Sequence, residues 1–269
     1  MMTIHTALTI AGTDPTGGAG IQADLKTFQE REVFGMSVIT SVLAQNTTGV
    51  KKIEHMSLEL IEAQLQAVIT DISPSAVKTG MIATPAMMEL LADYVKDLNV
   101  PYICDPVMIA KSGDPLMDEH SRQSMQRTLI PHATIVTPNI PEAQDLTGLT
   151  IQSIADMERA AKMIVTEFGA KAAVVKAGYL HEHSTDVLYA NNQITHLHAQ
   201  RTNTIHLHGT GCTFSAAITA ELAKGYSLEQ AVSTGKSFIS DAISYTLELG
   251  KGNGPTNHWG YRLKGLPKS

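Results

Sequence analysis

Apolar and polar positions follow two rhythms along the chain. Short, mostly apolar runs occupy residues 6–11, 35–45, 76–81, 100–105, 133–138 and 172–176. They are rich in Val, Ile and Ala and read as strands. Stretches of helical period lie between them. Residues 57–71 place Leu58, Ile61, Leu65 and Val68 at the spacing of one helix face. Residues 21–29, 153–168, 213–224 and the stretch from Ser227 also read as helices, with Ser227 and Gln230 spaced as a capping box. Thr84 before Pro85 predicts a further helix start, as a cap followed by a proline at the first helical position. Asn139 opens another helix, and Met87 and Met88 read as core filler. Residues 185–200 hold two alternating segments divided by Asn191-Asn192, a hairpin signal. The glycine-rich stretch 250–255 is expected to end the last long helix, with an irregular tail beyond it. Strands alternating with helices predict one α/β domain over residues 1–269, built on a mostly parallel sheet.

Composition narrows the class of partner. Hydrophobic residues make up 43% of the 269 and charged residues 17%, which suits a packed core. The net charge of −6, without a long basic run, argues against nucleic acid. No apolar run is long enough to span a membrane, and the N-terminus reads as a first strand, not a secretory leader. Cys104 and Cys212 are the only cysteines, so no disulfide framework is implied and a cytoplasmic location is expected.

The candidate chemistry clusters at loops that follow strands. Gly209, Thr210, Gly211 and Cys212 precede a run of small and apolar residues with helical character. The first N–H groups of a helix lack partners within it, and a phosphate is their usual guest. The same positive field is expected to lower the thiol pKa of Cys212. A second glycine loop, residues 12–20, follows the first strand, but Ala23 stands where a dinucleotide fingerprint needs its last glycine. Asp24 in the next helix could hold a polar substrate or be a surface cap. Asp105 ends a strand, where open α/β sheets bind ligands, while Cys104 faces the other way into the core. Residues 109–116 have the polarity of a lid or a surface loop. Asn139 and Glu142, three apart, suit Mg²⁺ held through its waters, or a metal-free capping box. Lys176 closes another strand. The pairs His181/His183, His196/His198 and His206/His208 read as solvated or hydrogen-bonded histidines, because no carboxylate or cysteine pattern completes a zinc site.

Several ordered motifs together carry a resemblance over nearly the whole length. They are Leu8-Thr-Ile-Ala-Gly-Thr-Asp-Pro-Thr-Gly-Gly-Ala-Gly-Ile-Gln-Ala-Asp-Leu-Lys-Thr27, Val77-Lys-Thr-Gly-Met81, Asp105-Pro-Val-Met-Ile-Ala-Lys-Ser-Gly113, Thr137-Pro-Asn-Ile-Pro-Glu142, His208-Gly-Thr-Gly-Cys-Thr213 and Gly252-Asn-Gly-Pro-Thr-Asn-His258. The chain resembles the ribokinase superfamily, in its branch of hydroxymethylpyrimidine and phosphomethylpyrimidine kinases. The resemblance implies a three-layer, ribokinase-like α/β fold, a homodimer, and ATP with Mg²⁺. It implies that Gly12, Asp24, Gln45 and Met81 hold a pyrimidine, with Val107 beside them. Lys176, Asp105, Asn139 and Glu142 go to the nucleotide side, together with Lys236 of the last long helix, and Asp105 and Glu142 to the metal. Gly209, Thr210, Gly211 and Cys212 match the catalytic anion hole. Many superfamily members carry Asp where this chain has Cys212, which makes the cysteine a candidate base.

The implied reaction is ATP-dependent phosphorylation of 4-amino-5-hydroxymethyl-2-methylpyrimidine and then of its monophosphate, for thiamine biosynthesis. The alternative is a pyridoxal or pyridoxine kinase. Relatives with that activity can carry a second cysteine in the lid, where this chain has Ala110. Trp259 stands where the family leads one to expect a smaller aromatic residue. A non-catalytic sensor of nucleotide or vitamin would not need Asp105, Asn139, Glu142 and Cys212 together, and a dinucleotide oxidoreductase conflicts with the glycine spacing.

Overall fold

The computed structural model describes residues 4–110, 113–114, 116–178 and 183–265. Its centre is a sheet of nine strands: β1 (Thr6–Gly12), β2 (Phe34–Asn46), β3 (Gly49–His55), β4 (Ala76–Thr79), β5 (Tyr102–Cys104), β6 (Ile135–Val136), β7 (Ala172–Val175), β8 (His183–Ala190) and β9 (Gln193–Gln200). The spatial order is β3-β2-β1-β4-β5-β6-β7-β8-β9. Strands β2, β1, β4, β5, β6 and β7 run parallel, and β3, β8 and β9 join antiparallel. The helices are α1 (Gly20–Glu30), α2 (Leu58–Ile69), α3 (Pro85–Asp97), α4 (Glu119–Thr128), α5 (Ile140–Thr147), α6 (Ile154–Thr166), α7 (Thr210–Ala223) and α8 (Leu228–Ser244).

Successive residues of each parallel strand feed opposite faces, so the sheet is apolar on both sides. Leu8, Val77, Cys104 and Val136 join the core beneath α2 to α6. Their neighbours Ala7, Ala76, Ile103 and Ile135 join a second core with Phe214 and Ile218 of α7 and Val232 and Ile239 of α8. Two cores on one sheet make the three-layer architecture. The strand order reverses between β1 and β4. Ligands of open α/β sheets bind at the carboxyl ends beside such a switch point.

Most elements lie where the pattern puts them. Thr84 caps α3 by accepting from the Met87 N–H, and Ser227 with Gln230 forms the expected capping box on α8. Several expectations are corrected. Strand β3 has no apolar pattern; Lys51, Lys52 and Glu54 are exposed, as suits an edge that must not pair further. Helix α4 is polar almost throughout, with Ser121, Ser124 and Met125 buried, so it shows no stripe in sequence. Helix α7 begins at Thr210, so Gly211 and Cys212 lie in its first turn. Helix α8 ends at Ser244, before the glycine-rich stretch. The tail is not wholly irregular, since Gly260–Leu263 forms a 3₁₀ turn. Leu58 is exposed, and the buried face of α2 is carried by Ile61 and Leu65.

Candidate active site

The carboxyl ends of β1, β4 and β5 and the first turns of α5 and α7 enclose a cleft of about 490 Å³. Gly12, Gln45, Met81 and Val107 line one side. Lys176, Lys236, Asp105, Asn139 and Glu142 line the other. Gly209, Thr210, Gly211 and Cys212 form the floor between them. One expected residue is not on the wall. Asp24 is fully buried under it, where Oδ2 accepts from Lys78 Nζ at 2.8 Å and from Thr9 Oγ1 at 2.6 Å. A carboxylate in a dry site needs such partners, and here they hold it away from the cleft.

The floor is a helix start stripped of side chains. Gly209 is the N-cap of α7 at φ 80°, and no side chain caps the helix. A Cβ at Gly209 would fall 1.7 Å from the Gly18 carbonyl oxygen, so only glycine permits the two loops to touch. The Thr210 hydroxyl turns back to the Leu207 carbonyl. The Thr210 N–H goes to the same carbonyl, at 3.2 Å, which leaves the N–H groups of Gly209, Gly211 and Cys212 at the cleft without a side-chain cap.

The Cys212 thiol departs from expectation. Burial pushes it up to about 12, although Lys78 and a hydrogen bond from the Gly20 N–H pull the other way. Desolvation outweighs the helix-end field, so the group is a neutral thiol in the unliganded protein. Asp24 and Asp105 nearby reinforce that state. Cys104 is fully buried and likewise raised to about 12, in keeping with an inert core thiol.

Charges on the opposite wall interlock. Asp105 accepts from Thr137 Oγ1 and Ser215 Oγ, each at 3.0 Å, and lies 3.5 Å from Lys176 Nζ. Burial works against its charge, but Lys176 and Lys78 hold its pKa below the usual carboxylate range. Burial would likewise pull Lys176 down, yet Asp105 and Glu142 keep it raised and charged. Lys236 Nζ donates to Asp186 Oδ2 at 2.8 Å and to Ser184 Oγ at 3.0 Å. Asn139 and Glu142 do form a capping box: Oδ1 of Asn139 accepts from the Glu142 N–H, and Glu142 returns Oε2 to the Asn139 N–H. Burial, with Asp105 adding to it, pushes Glu142 up to about 7. The two buried carboxylates, Asp105 and Glu142, suit a hydrated Mg²⁺ arriving on nucleotide phosphates. Among the described residues no three acidic, His or Cys side chains converge to cage a bare ion.

A family profile described as "Phosphomethylpyrimidine kinase" matches residues 14–257. The chain belongs to that family. It is 50% identical over 263 residues to the hydroxymethylpyrimidine/phosphomethylpyrimidine kinase of Staphylococcus aureus strain MSSA476, covering 96% of this chain and 95% of the relative. An ADP complex of Bacillus subtilis pyridoxal kinase superposes with a TM-score of 0.91 at 40% identity, covering 97% of this chain and all of that one. A phosphomethylpyrimidine kinase from Clostridium difficile gives a TM-score of 0.79 at 41% identity over 90% of this chain and all of that one. The three-layer α/β fold and the phosphotransferase class follow from these relatives.

Sequence reasoning missed several residues of this phosphomethylpyrimidine kinase family site. Lys78 was legible as a lone cation inside a buried strand, which demands a buried partner. Asp14 and His208 stood inside quoted motifs, but their meeting at 2.7 Å across 194 positions is a tertiary fact. Ser215 and Thr137, the partners of Asp105, are equally invisible in one dimension. Lys111, Ser112 and Pro115 of the expected lid, and His181, lie outside the described residues. The lid residues Ala110 and Gly113 pair by a backbone hydrogen bond, and the Asp114 carboxylate accepts from the Val50 N–H of β3. His196 pairs with Glu158, His198 with Thr185 and His208 with Asp14, as hydrogen-bonded histidines. Trp259 is partly exposed, and nothing in the structure explains its size.

Proposed function

We propose that this chain transfers the γ-phosphoryl group of ATP to 4-amino-5-hydroxymethyl-2-methylpyrimidine, and then to the monophosphate, in thiamine biosynthesis. The observation that carries the reading is the bare first turn of α7 placed between two unlike walls. One wall, Gly12, Gln45, Met81 and Val107, suits a flat heteroaromatic ring. The other, Lys176, Lys236 and Glu142, suits polyphosphate. The relatives' names and the ADP complex of the Bacillus subtilis enzyme support a pyrimidine and an adenine nucleotide as the two ligands.

Phosphoryl transfer needs positioning and charge stabilisation more than covalent chemistry. The ring wall would hold the CH₂OH over Cys212, and the N–H groups of Gly209, Gly211 and Cys212 would take up negative charge as it develops. One such donor is typically worth ~3 kcal/mol. Cys212 is the base candidate for the hydroxyl proton: its neutral resting state avoids repelling the incoming phosphate, and to act as base it would first lose its own proton to water and then take the hydroxyl proton as thiolate. Lys176 and Lys236 would hold the phosphates in line. Asp105 and Glu142 would hold Mg²⁺ through its waters, and the ion would supply neutralisation of phosphate charge. The homodimer belongs to the same reading, and sedimentation at working concentration tests it.

A second reading, pyridoxal kinase, is favoured by the superposition at a TM-score of 0.91 on a pyridoxal kinase. Ala110 in the lid weighs against it, since relatives with that activity can carry cysteine there. ADP release from Mg-ATP, measured in parallel with hydroxymethylpyrimidine, its monophosphate and pyridoxal, separates the two. Turnover of both pyrimidines with pyridoxal slower by orders of magnitude is expected. Pyridoxal turnover equal to or above theirs would replace the first reading with the second.

A further inference from the structure

The cleft joins two loops that come from opposite ends of the sequence, residues 12–20 and 206–211. One buried carboxylate ties them. Asp14 is 1% exposed. Its Oδ1 accepts from the Thr16 N–H at 2.9 Å and from Thr16 Oγ1 at 2.8 Å. Its Oδ2 accepts from Thr16 Oγ1 at 2.9 Å, the Ala19 N–H at 2.8 Å and the Gly18 N–H at 3.1 Å. The same Oδ2 meets His208 Nε2 at 2.7 Å. His208 is in turn fixed from both sides: its N–H donates to Gly254, and its carbonyl accepts from Thr256.

The contact leaves no slack. A Cβ at Gly18 would lie 2.8 Å from His208 Cδ2, and one at Gly209 would overlap the Gly18 carbonyl. Directly after these pinned residues, Gly20 lines the same cleft as Cys212. Gly20 also packs its Cα against the Gly12 carbonyl, where a Cβ would come within 2.4 Å. The loop therefore touches the ring-side wall at Gly12 and the anion-hole loop at Gly209.

We infer that Asp14 and His208 form a positioning pair that docks the loop of residues 12–20 on the Gly209 end of the anion hole and thereby sets the ring-side wall in register with it. Asp14 is acceptor to four donors of its own loop and to His208 of the other, so it is the one group that both folds the loop and docks it. Neither residue needs to touch the reacting atoms. Their effect is on where the sulfur and the N–H groups stand, and a displacement of about 1 Å in such a site can cost ~100-fold in rate.

The inference rests on the kinase reading only for its turnover arm. The other arm is alkylation of Cys212 by iodoacetamide at pH 8, followed by mass spectrometry, with Cys104 as an internal unreactive control. Cys212 is half-buried in the cleft that both loops line, so loops that part admit the reagent and the sulfur reacts faster. Asp14→Asn and His208→Leu are expected to speed Cys212 alkylation several-fold and to lower kcat ~10- to 100-fold, with melting temperatures near that of the unaltered protein. His208→Gln, which keeps a donor, is expected to keep both near their unaltered values. Equal alkylation rates for His208→Gln, His208→Leu and the unaltered protein would overturn the inference, whether or not Asp14→Asn folds. Faster alkylation of the variants, with no turnover of any pyrimidine or pyridoxal by the unaltered protein, would instead support the pair and remove the kinase reading.

Discussion

Single residues here are governed by how far burial moves their charge. Cys212 illustrates it: a helix N-terminus alone would acidify the thiol, but desolvation leaves it near 12. If Cys212, deprotonated first, takes the hydroxyl proton as thiolate, Cys212→Ser should lower kcat ~100-fold or more at saturating ATP and pyrimidine. Full turnover by that variant would remove the base role and leave the anion hole as the catalytic group. His258 gives a stability test. It is 2% exposed, and burial, with Lys26 adding to it, depresses its pKa to about 4. The unfolded chain binds a proton near pH 6.5 that the folded chain refuses until about pH 4. Stability from this residue is therefore present above pH 6.5 and is lost as the pH falls through that window, by about 3 kcal/mol in full. His258→Phe should show a smaller fall in melting temperature between pH 7 and pH 4 than the unaltered protein. Parallel melting curves for the two would assign the acid sensitivity elsewhere.

At the scale of elements, the first turn of α7 is where backbone conformation decides. Gly209 and Gly225 both sit at positive φ, 80° and 84°, at the two ends of this helix. At Gly225 nothing lies within 4 Å of an added Cβ, whereas at Gly209 the Gly18 carbonyl occupies the space. Gly225→Ala should cost only the left-handed penalty, ~1–2 kcal/mol. Gly209→Ala must also push the two loops apart, so it should destabilise by more and reduce turnover by ~100-fold. Melting curves and kcat for the pair separate conformational cost from loop contact. The capping box on α5 carries a related lesson. Asn139 and Glu142 stop the helix start from fraying and, by the same bonds, aim Glu142 at Lys176 and Asp105. A motif legible as either cap or metal site is a cap in geometry, and its charge suits a metal held at one remove.

On the scale of the whole molecule, a buried ion pair under the floor links the layers. Lys78 of β4 and Asp24 of α1 are both fully buried, and their charges also bear on Asp105 and Cys212. Asp24 holds Lys78 charged against the pull of burial. Removing one partner strands the other in a dry site, so Lys78→Met should destabilise by ~3–5 kcal/mol. For a chain of this size that lowers the melting temperature by roughly 6–20 °C. The double variant with Asp24→Leu should recover much of the loss, because no charge is then left unpaired. A double variant as unstable as the single one would show that the site needs the charges for more than mutual compensation.

The sequence by itself determined the alternation of strands and helices, the caps at Thr84 and Ser227, and the positions of most cleft residues. These are local properties, set by side-chain period, cap chemistry and glycine at loop ends. It also carried the family, because several motifs kept their order along the whole chain. It did not determine β3 or α4, whose residues lack an apolar rhythm and are held by the sheet edge and by neighbouring helices. It misjudged Asp24 and the Cys212 thiol for one reason. Whether a carboxylate meets a ligand or a lysine, and whether a thiol feels a helix end or a dry wall, depends on groups far away in the chain. Only the tertiary structure brings Lys78 to Asp24 and His208 to Asp14, and desolvation there outweighs what the local helix would dictate.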